Sequence, residues 1–217
     1  MRLALFDLDG TLTRSDTYRG FVLELLAAHP ARWLRVLLLP LPLAAFVLGA
    51  LDRGALKGAI LRLLFAGLPR DQISAFARRF AARVVPARMF PAALEALGSH
   101  LAAGDHVVLL SASPDLYVPE IGRLLGAHQS ICTPIRWHGE CLDGRLAGPN
   151  HRDREKTRVL MALRGAHPGL SVIAYGNSTP DLDHMRRCEE AVFVNAGKGL
   201  TARLQAELPA LQHVHWR

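Results

Sequence analysis

Three short apolar runs, at residues 3–6, 106–110 and 171–175, constrain this chain more than any other feature, because each gives way at once to a polar cluster. Asp7 and Asp9 follow the first, Ser111 the second, and Asn177 and Asp181 the third. Runs this short, bounded by Gly, Pro, Ser and Asp, read as buried strands. Residues 91–103, 116–125 and 153–164 have helical apolar spacing, and a last strand is expected at 191–194 with a terminal helix after it. Residues 129–137 and 142–146 read as extended segments of a hairpin around Gly139 and Asp143-Gly144. Strands alternating with helices imply an α/β fold, a Rossmann-like parallel sheet with helices on both faces, since each parallel crossover has to travel over one face. Ligands of such sheets bind beyond the carboxyl ends of the strands, which is where all three clusters fall.

The first cluster, Asp7-Leu8-Asp9-Gly10-Thr11, holds two carboxylates one residue apart. In extended backbone both point to the same side and can reach one metal ion or one phosphate. An acidic turn after a strand would look the same, so partners elsewhere in the chain have to decide. Lys156 is one, standing at the start of the helix before the third strand and belonging to a chain with only three lysines (Lys57, Lys156, Lys198) among its 26 bases.

With 217 residues, half of them apolar, the chain suits one sizeable domain or a domain with a smaller insertion. No apolar targeting segment precedes the first strand, so the catalytic part is expected in the cytoplasm. Cys132, Cys141 and Cys188, odd in number and without close pairing, favour free thiols over a disulfide framework. The net charge of +7 is confined to one region: residues 16–88 carry eleven Lys and Arg against four acids, and the remainder has fifteen of each.

That basic region contains an apolar run, residues 33–51, with no charge after Arg35 and with Pro40 and Pro42 at its middle. Its 19 residues would span about 28 Å as one helix, close to the roughly 30 Å hydrocarbon core of a bilayer. The prolines argue against a single straight helix. Bases at both ends (Arg32 and Arg35, then Arg53 and Lys57) leave a simple span without a preferred orientation. Two readings stay open: a shallow helical hairpin with its vertex at 40–42 dipping into one leaflet, and two short helices buried within a small helical domain. Helices are also expected at 17–28, around Leu56, Ile60, Leu63 and Leu64, and from Pro69 onward, where Ile73, Phe76, Ala77, Phe80 and Val84 share a face. Arg78, Arg79 and Arg83 lie off that face, as a solvated surface or as contacts to anionic headgroups at roughly 1 kcal/mol each.

Taken in order, the signatures resemble those of the haloacid dehalogenase superfamily of phosphatases. Asp7-Leu8-Asp9-Gly10-Thr11 matches the first motif, Ser111 the second, Lys156 the third and Gly176-Asn177-Ser178-Thr179-Pro180-Asp181 the fourth. The helical insertion is similar in position to the cap of the phosphoserine phosphatase branch. Its proline-interrupted apolar run, together with the pair Glu155-Lys156, looks most like phosphatidylglycerophosphatase C. The resemblance implies a catalytic core of residues 1–15 and 89–217 and a helical cap of residues 16–88. It also implies that Asp7 is the nucleophile forming an aspartyl-phosphate, that Asp9 is the general acid and then base, and that Ser111 and Lys156 hold phosphoryl oxygens. Magnesium would bind the carboxylate of Asp7, the carbonyl of Asp9 and the side chain of Asn177, with Asp181 supporting the metal's water shell or orienting Lys156. Asp16 lies where that branch keeps an acidic substrate contact, and a helix N-cap is its plain alternative. Asn177 departs from the usual Asp of the fourth motif; its amide oxygen can ligate a hard cation but brings no charge.

The function expected is a magnesium-dependent phosphomonoesterase for a membrane phospholipid phosphate such as phosphatidylglycerophosphate. An apolar, basic cap would keep it peripheral or monotopic on an anionic surface, the inner face of the cytoplasmic membrane. A soluble phosphatase for a small metabolite such as phosphoserine is the alternative, and a membrane-binding module with a decayed site, prompted by Asn177, is a third. Nucleic-acid binding is set aside because the basic region offers no aromatic stacking platform.

Overall fold

The computed structural model describes residues 1–195 and 211–217. Strand β1 (Leu3–Phe6) pairs in parallel with β2 (His106–Pro114) on one side and with β6 (Val172–Gly176) on the other. Strand β3 (Gln129–Thr133) extends the sheet beyond β2, and β7 (Glu190–Val194) and β8 (Leu211–Val214) extend it beyond β6. The six parallel strands run β3-β2-β1-β6-β7-β8, so the chain turns from one half of the sheet to the other beside β1. That switch point is where such sheets open a crevice for ligand.

Side-chain alternation divides the core between the two faces. Leu3, Leu5, Val108, Val172, Ala174 and Phe193 pack with Leu160 and Leu163 of α7 (Arg154–Ala166) and with Leu182 and Met185 of α8 (Leu182–Met185). Ala4, Phe6, Val107, Leu109, Ile173 and Tyr175 pack on the opposite face with Ala93 and Leu97 of α5 (Pro91–Ala102) and Ile121 of α6 (Val118–Leu125). All four residues of β1 are buried, which is why its sequence is a continuous apolar run.

Two expectations about the strands need correction. Residues 129–137 are two strands: β3 belongs to the main sheet, and after Pro134 the chain turns into β4 (Ile135–His138), which forms a separate antiparallel hairpin with β5 (Cys141–Leu146). Proline has no N–H for a ladder and marks the change of sheet. Nor is the strand at 191–194 the last, since β8 follows it; an edge strand of sequence Leu-Gln-His-Val lacks the apolar run that betrays a buried one. The expected terminal helix falls outside the described residues.

Residues 17–88 form α1 (Thr17–Ala27), a 3-10 helix at Pro30–Leu38, α2 (Pro40–Val47), α3 (Arg53–Phe65) and α4 (Arg70–Arg88). Phe21 of α1 and Phe80 of α4 meet the buried ring of Tyr117 at centroid distances of 4.6 and 5.2 Å, seating these helices over the end of β2. On the other flank α3 lies against β5, where a Cβ on Gly144 (φ +90°) would come within 2.5 Å of the Arg62 nitrogen. Only glycine allows so close a backbone approach at that dihedral.

The apolar run follows neither expected course. Leu39 is right-handed helical (φ −58°, ψ −31°) and its carbonyl accepts from Leu43, so the helical path carries through Pro40, whose missing N–H costs nothing in a first turn. The chain turns instead at Gly49 (φ +76°), not at 40–42. No residue of the 3-10 helix or of α2 is buried, which rules out two helices hidden in a core. Leu34, Leu37, Leu41, Val47 and Leu48 are between 68% and 82% exposed. By length and composition Pro30–Val47 is one helix apolar enough to cross a membrane. Arg32 donates to the carbonyls of Leu64 and Ala66 at 2.9 and 3.0 Å, and Arg35 to those of Leu63 and Leu64 at 3.4 Å, so both cations cap the carboxyl end of α3. Arg83 pairs with Glu24.

Candidate active site

Asp7 is the first residue past β1, and its position beyond a central parallel strand brings α7 and the loop after β6 within reach. Lys156, in the first turn of α7, donates at 2.6 Å to Asp7 Oδ1 and at 2.6 Å to Asp181 Oδ1. Lys156 and Asp181 are 2% and 1% exposed, and Asp7 is 9% exposed. The other oxygen of Asp181 accepts from the N–H groups of Asn177 and Ser178 and from the Ser178 hydroxyl, closing a capping box on the 3-10 turn Thr179–Asp181. Asp181 therefore ties the loop after β6 to Lys156 with both of its oxygens.

Burial pushes the Asp7 carboxyl up to about 7 against the pull of Lys156, and the carboxylates of Asp181 and Asp9 push it the same way. Burial acts on Lys156 in the opposite sense, but Asp7 and Asp181 outweigh it and hold the ammonium charged. For Asp181 burial is likewise outweighed, by Lys156, and its carboxyl lies below the usual range. The trio is thus an ion triad with one cation for two carboxylates.

Thr11 Oγ1 lies 3.2 Å from Asp7 Oδ2 and 3.4 Å from Asn177 Oδ1, so one hydroxyl joins the first and fourth motifs. The amide of Asn177 rests on Gly10 (φ +83°), where a Cβ would sit 2.1 Å from Nδ2. Asp9 is held from three directions: its Oδ1 accepts the backbone N–H and the hydroxyl of Thr17, each at 2.6 Å, and its Oδ2 accepts the Ser113 hydroxyl at 2.6 Å. Burial raises the Asp9 carboxyl, and these hydrogen bonds oppose the shift. The Ser111 hydroxyl is buried and accepts from the N–H of Ser113 at 3.1 Å.

Asp7, Asp9, Asp16, Ser111, Lys156 and Asp181 all line one cleft of about 440 Å³. Of the expected site residues only Asn177 is not on its wall, standing instead behind Gly10 and Thr11. Asp16 caps α1 by accepting from Arg19 N at 2.9 Å, and it also lines the cleft. Sequence reasoning missed the outer wall. Phe46 of α2, Leu56 and Ile60 of α3 and Tyr18 supply apolar surface there, and Arg53, Lys57 and Arg152 supply charge. Lys57 donates to the carbonyl of Ala112 and to Asn150 Oδ1, and burial brings its pKa down to about 8 against the pull of Asp9 and Asp16. The signals were present but faint: Lys57 is one of three lysines, and Ser113 shares a strand face with Ser111 by simple alternation. Thr17 and Tyr117 carried no signal at all.

The profile of the haloacid dehalogenase-like hydrolase family matches residues 4–186. The chain is 35% identical over 190 residues to the protein CicA of Caulobacter vibrioides, covering 87% of this chain and 83% of that one. A protein of unknown function from Bordetella pertussis has a solved structure with a TM-score of 0.80 at 25% identity, covering 98% of this chain and 97% of that one. A substrate-bound phosphoserine phosphatase superposes with a TM-score of 0.65 at 18% identity, covering 93% and 90%, a likeness of fold.

Proposed function

The chain belongs to the haloacid dehalogenase-like hydrolases, and from that premise we propose that it is a magnesium-dependent phosphomonoester hydrolase acting on a membrane phospholipid phosphate such as phosphatidylglycerophosphate. The observation that carries the phosphatase reading is the placement of Lys156 within 2.6 Å of both Asp7 and Asp181 at the foot of a cleft that Asp9 and Ser111 also line. Asp7 is the nucleophile, Asp9 the acid and then base, and Ser111 and Lys156 hold phosphoryl oxygens. Asp181, with both oxygens engaged, orients Lys156.

A carboxylate approaching a phosphate dianion faces about 4 kcal/mol of repulsion per charge pair at 4 Å and an effective dielectric of 20. Lys156 offsets one such pair, and its charge is already shared with Asp181. The donors near Asp7 suit a hard divalent cation: the carboxylate of Asp7 and the amide oxygen of Asn177, brought together through Thr11, to which the backbone carbonyl of Asp9 would be added. Among the described residues no group of three His, Cys, Asp or Glu side chains could by itself hold a metal ion, so a cation at Asp7 would also draw on the Asn177 amide and a backbone carbonyl. Magnesium bound there would supply two positive charges against the phosphate. Asn177→Asp is expected to lower the magnesium concentration giving half-maximal rate by roughly tenfold, about 1.4 kcal/mol of added attraction; an unchanged magnesium titration would remove this account of Asn177.

The lipid part of the reading rests on the outer cleft. Phe46 lines it and belongs to α2, whose outer surface is exposed and apolar, so residues 16–88 would act as a cap that places the cleft mouth at a lipid surface. Arg53, Lys57 and Arg152 fit the phosphodiester that phosphatidylglycerophosphate carries next to its terminal monoester. One observation favours the soluble alternative: Lys57 and Asp16, a cation and an anion on one wall, also suit the carboxylate and ammonium of phosphoserine.

Phosphate release from phosphatidylglycerophosphate in vesicles and from phosphoserine, each with magnesium and with EDTA, separates the readings. Turnover of the lipid in magnesium alone is expected. Turnover of the serine ester alone overturns the lipid reading, and turnover of neither, nor of p-nitrophenyl phosphate, overturns the phosphatase. The intact protein should also pellet with anionic vesicles, and a variant carrying Leu37→Glu, Leu41→Glu and Leu48→Glu should stay in the supernatant.

A further inference from the structure

The two oxygens of Asp9 are not equivalent. Oδ1 accepts two donors, the N–H and the hydroxyl of Thr17, while Oδ2 accepts only the Ser113 hydroxyl, all at 2.6 Å. A carboxylate oxygen offers two lone pairs in its plane. Both lone pairs of Oδ1 are engaged, one of them by a backbone N–H that cannot rotate away, and Oδ2 keeps one free. Because the Thr17 hydroxyl hydrogen is committed to Asp9, its oxygen acts as acceptor for the Tyr117 hydroxyl 3.0 Å away. The Tyr117 hydroxyl also meets that of Ser113, whose hydrogen is likewise committed to Asp9, so Tyr117 backs both hydroxyls that hold the carboxylate. Thr17 and Tyr117 are fully buried and Ser113 is 4% exposed, so water does not compete for these bonds.

We propose that Thr17, Ser113 and Tyr117 are positioning residues that reserve Oδ2 of Asp9 as the one oxygen that gives and takes the proton in phosphoryl transfer. The inference rests on the acid and base role of Asp9 given above. In the first half-reaction an oxygen of Asp7 bonds to phosphorus as the bond to the leaving oxygen breaks, and that oxygen takes the proton from Asp9 Oδ2. In the second, a water oxygen bonds to phosphorus as the bond to Asp7 breaks, and the water's proton passes to Oδ2, restoring the acid. Thr17 begins the inserted helices and Ser113 lies near the end of β2, so this geometry exists only while the two are seated together.

Leaving-group dependence tests the assignment, because p-nitrophenolate departs without a proton and an alkoxide does not. Turnover is measured on p-nitrophenyl phosphate and on two alkyl esters, phosphatidylglycerophosphate in mixed micelles and phosphoserine, for the intact enzyme and for Ser113→Ala, Thr17→Val, Thr17→Ser and Tyr117→Phe. Since positioned acid catalysis is worth about 10²- to 10⁴-fold, Ser113→Ala and Thr17→Val should lower kcat on the alkyl ester the enzyme hydrolyses by roughly 10- to 100-fold more than on the aryl ester. Thr17→Ser, which keeps the hydroxyl, should restore the alkyl rate, and Tyr117→Phe should show a few-fold selective loss in the same sense. Equal losses on aryl and alkyl esters, or no rescue by serine, would overturn the proposal while leaving the phosphatase intact. An unmodified enzyme that releases phosphate from none of the three esters would overturn the phosphatase reading itself.

Discussion

Asp7→Asn is expected to lower phosphate release by roughly four orders of magnitude or more, the scale seen when a covalent nucleophile is removed. The same change should not harm the fold. Burial holds the Asp7 carboxyl at about 7, so its ionised form carries a cost to folding that is absent below the ordinary value of 3.8 and complete above about 7. Asparagine keeps the shape and never ionises. In EDTA the variant should therefore melt above the unmodified protein at pH 8 and together with it near pH 4. A variant that loses activity and also melts well below the parent at pH 8 would mean that Asp7 is a structural anion.

Lys156→Met should be severe for both properties. It leaves two carboxylates buried around an apolar side chain, and removing one member of a buried ion group costs about 3–5 kcal/mol. For a chain of this size that is a fall in melting temperature of roughly 10 °C. In the parent, burial would raise Asp181 but Lys156 holds it down, so Asp181 contributes stability above the ordinary carboxylate value that is lost as pH falls through its lowered one. Without Lys156 that contribution becomes a penalty on the ionised form. The deficit of the variant in calorimetry should accordingly be large at pH 8 and smaller at pH 5. Phosphate release should fall by on the order of 10³-fold or more with the loss of a positioned cation. Lys156→Arg is not expected to rescue it, since a site 2% exposed and built around a single ammonium has no room for the planar fork.

Much of this site was legible in the chain. Asp7, Asp9, Ser111 and Asp181 announce themselves because strand runs end abruptly in polar residues, and the topology of a parallel sheet delivers those ends to one edge; Lys156, at a helix start, stood out as one of three lysines. The partners of Asp9 were not legible. Thr17 is eight residues away and Ser113 about a hundred, Tyr117 acts on Asp9 through Thr17, and apart from the alternation that pairs Ser113 with Ser111 nothing in their local sequence distinguishes a hydroxyl aimed at a carboxylate from one capping a helix or facing water. Lys57 read as one base of a basic region and proves to point into the cleft. Arg32 and Arg35 read as flanks of an apolar span and prove to cap α3.

The apolar run marks the boundary most clearly. Its composition, its prolines and its place between the first two motifs are properties of the sequence, and they establish an unusual helical insertion. Whether those leucines were buried or exposed depended on whether the surrounding helices had a face left to cover them. They do not: the inner faces of α1 and α4 are filled by Phe21, Phe76, Phe80 and Tyr117, and α3 spends its glycines on β5. Periodicity and abrupt changes of polarity are local and survive in one dimension, so the sequence by itself determined the central parallel strands and the polar residues that follow them. Which oxygen a hydroxyl meets, and which apolar face is left without a neighbour, are set by contacts between distant segments, and only the tertiary structure decided them.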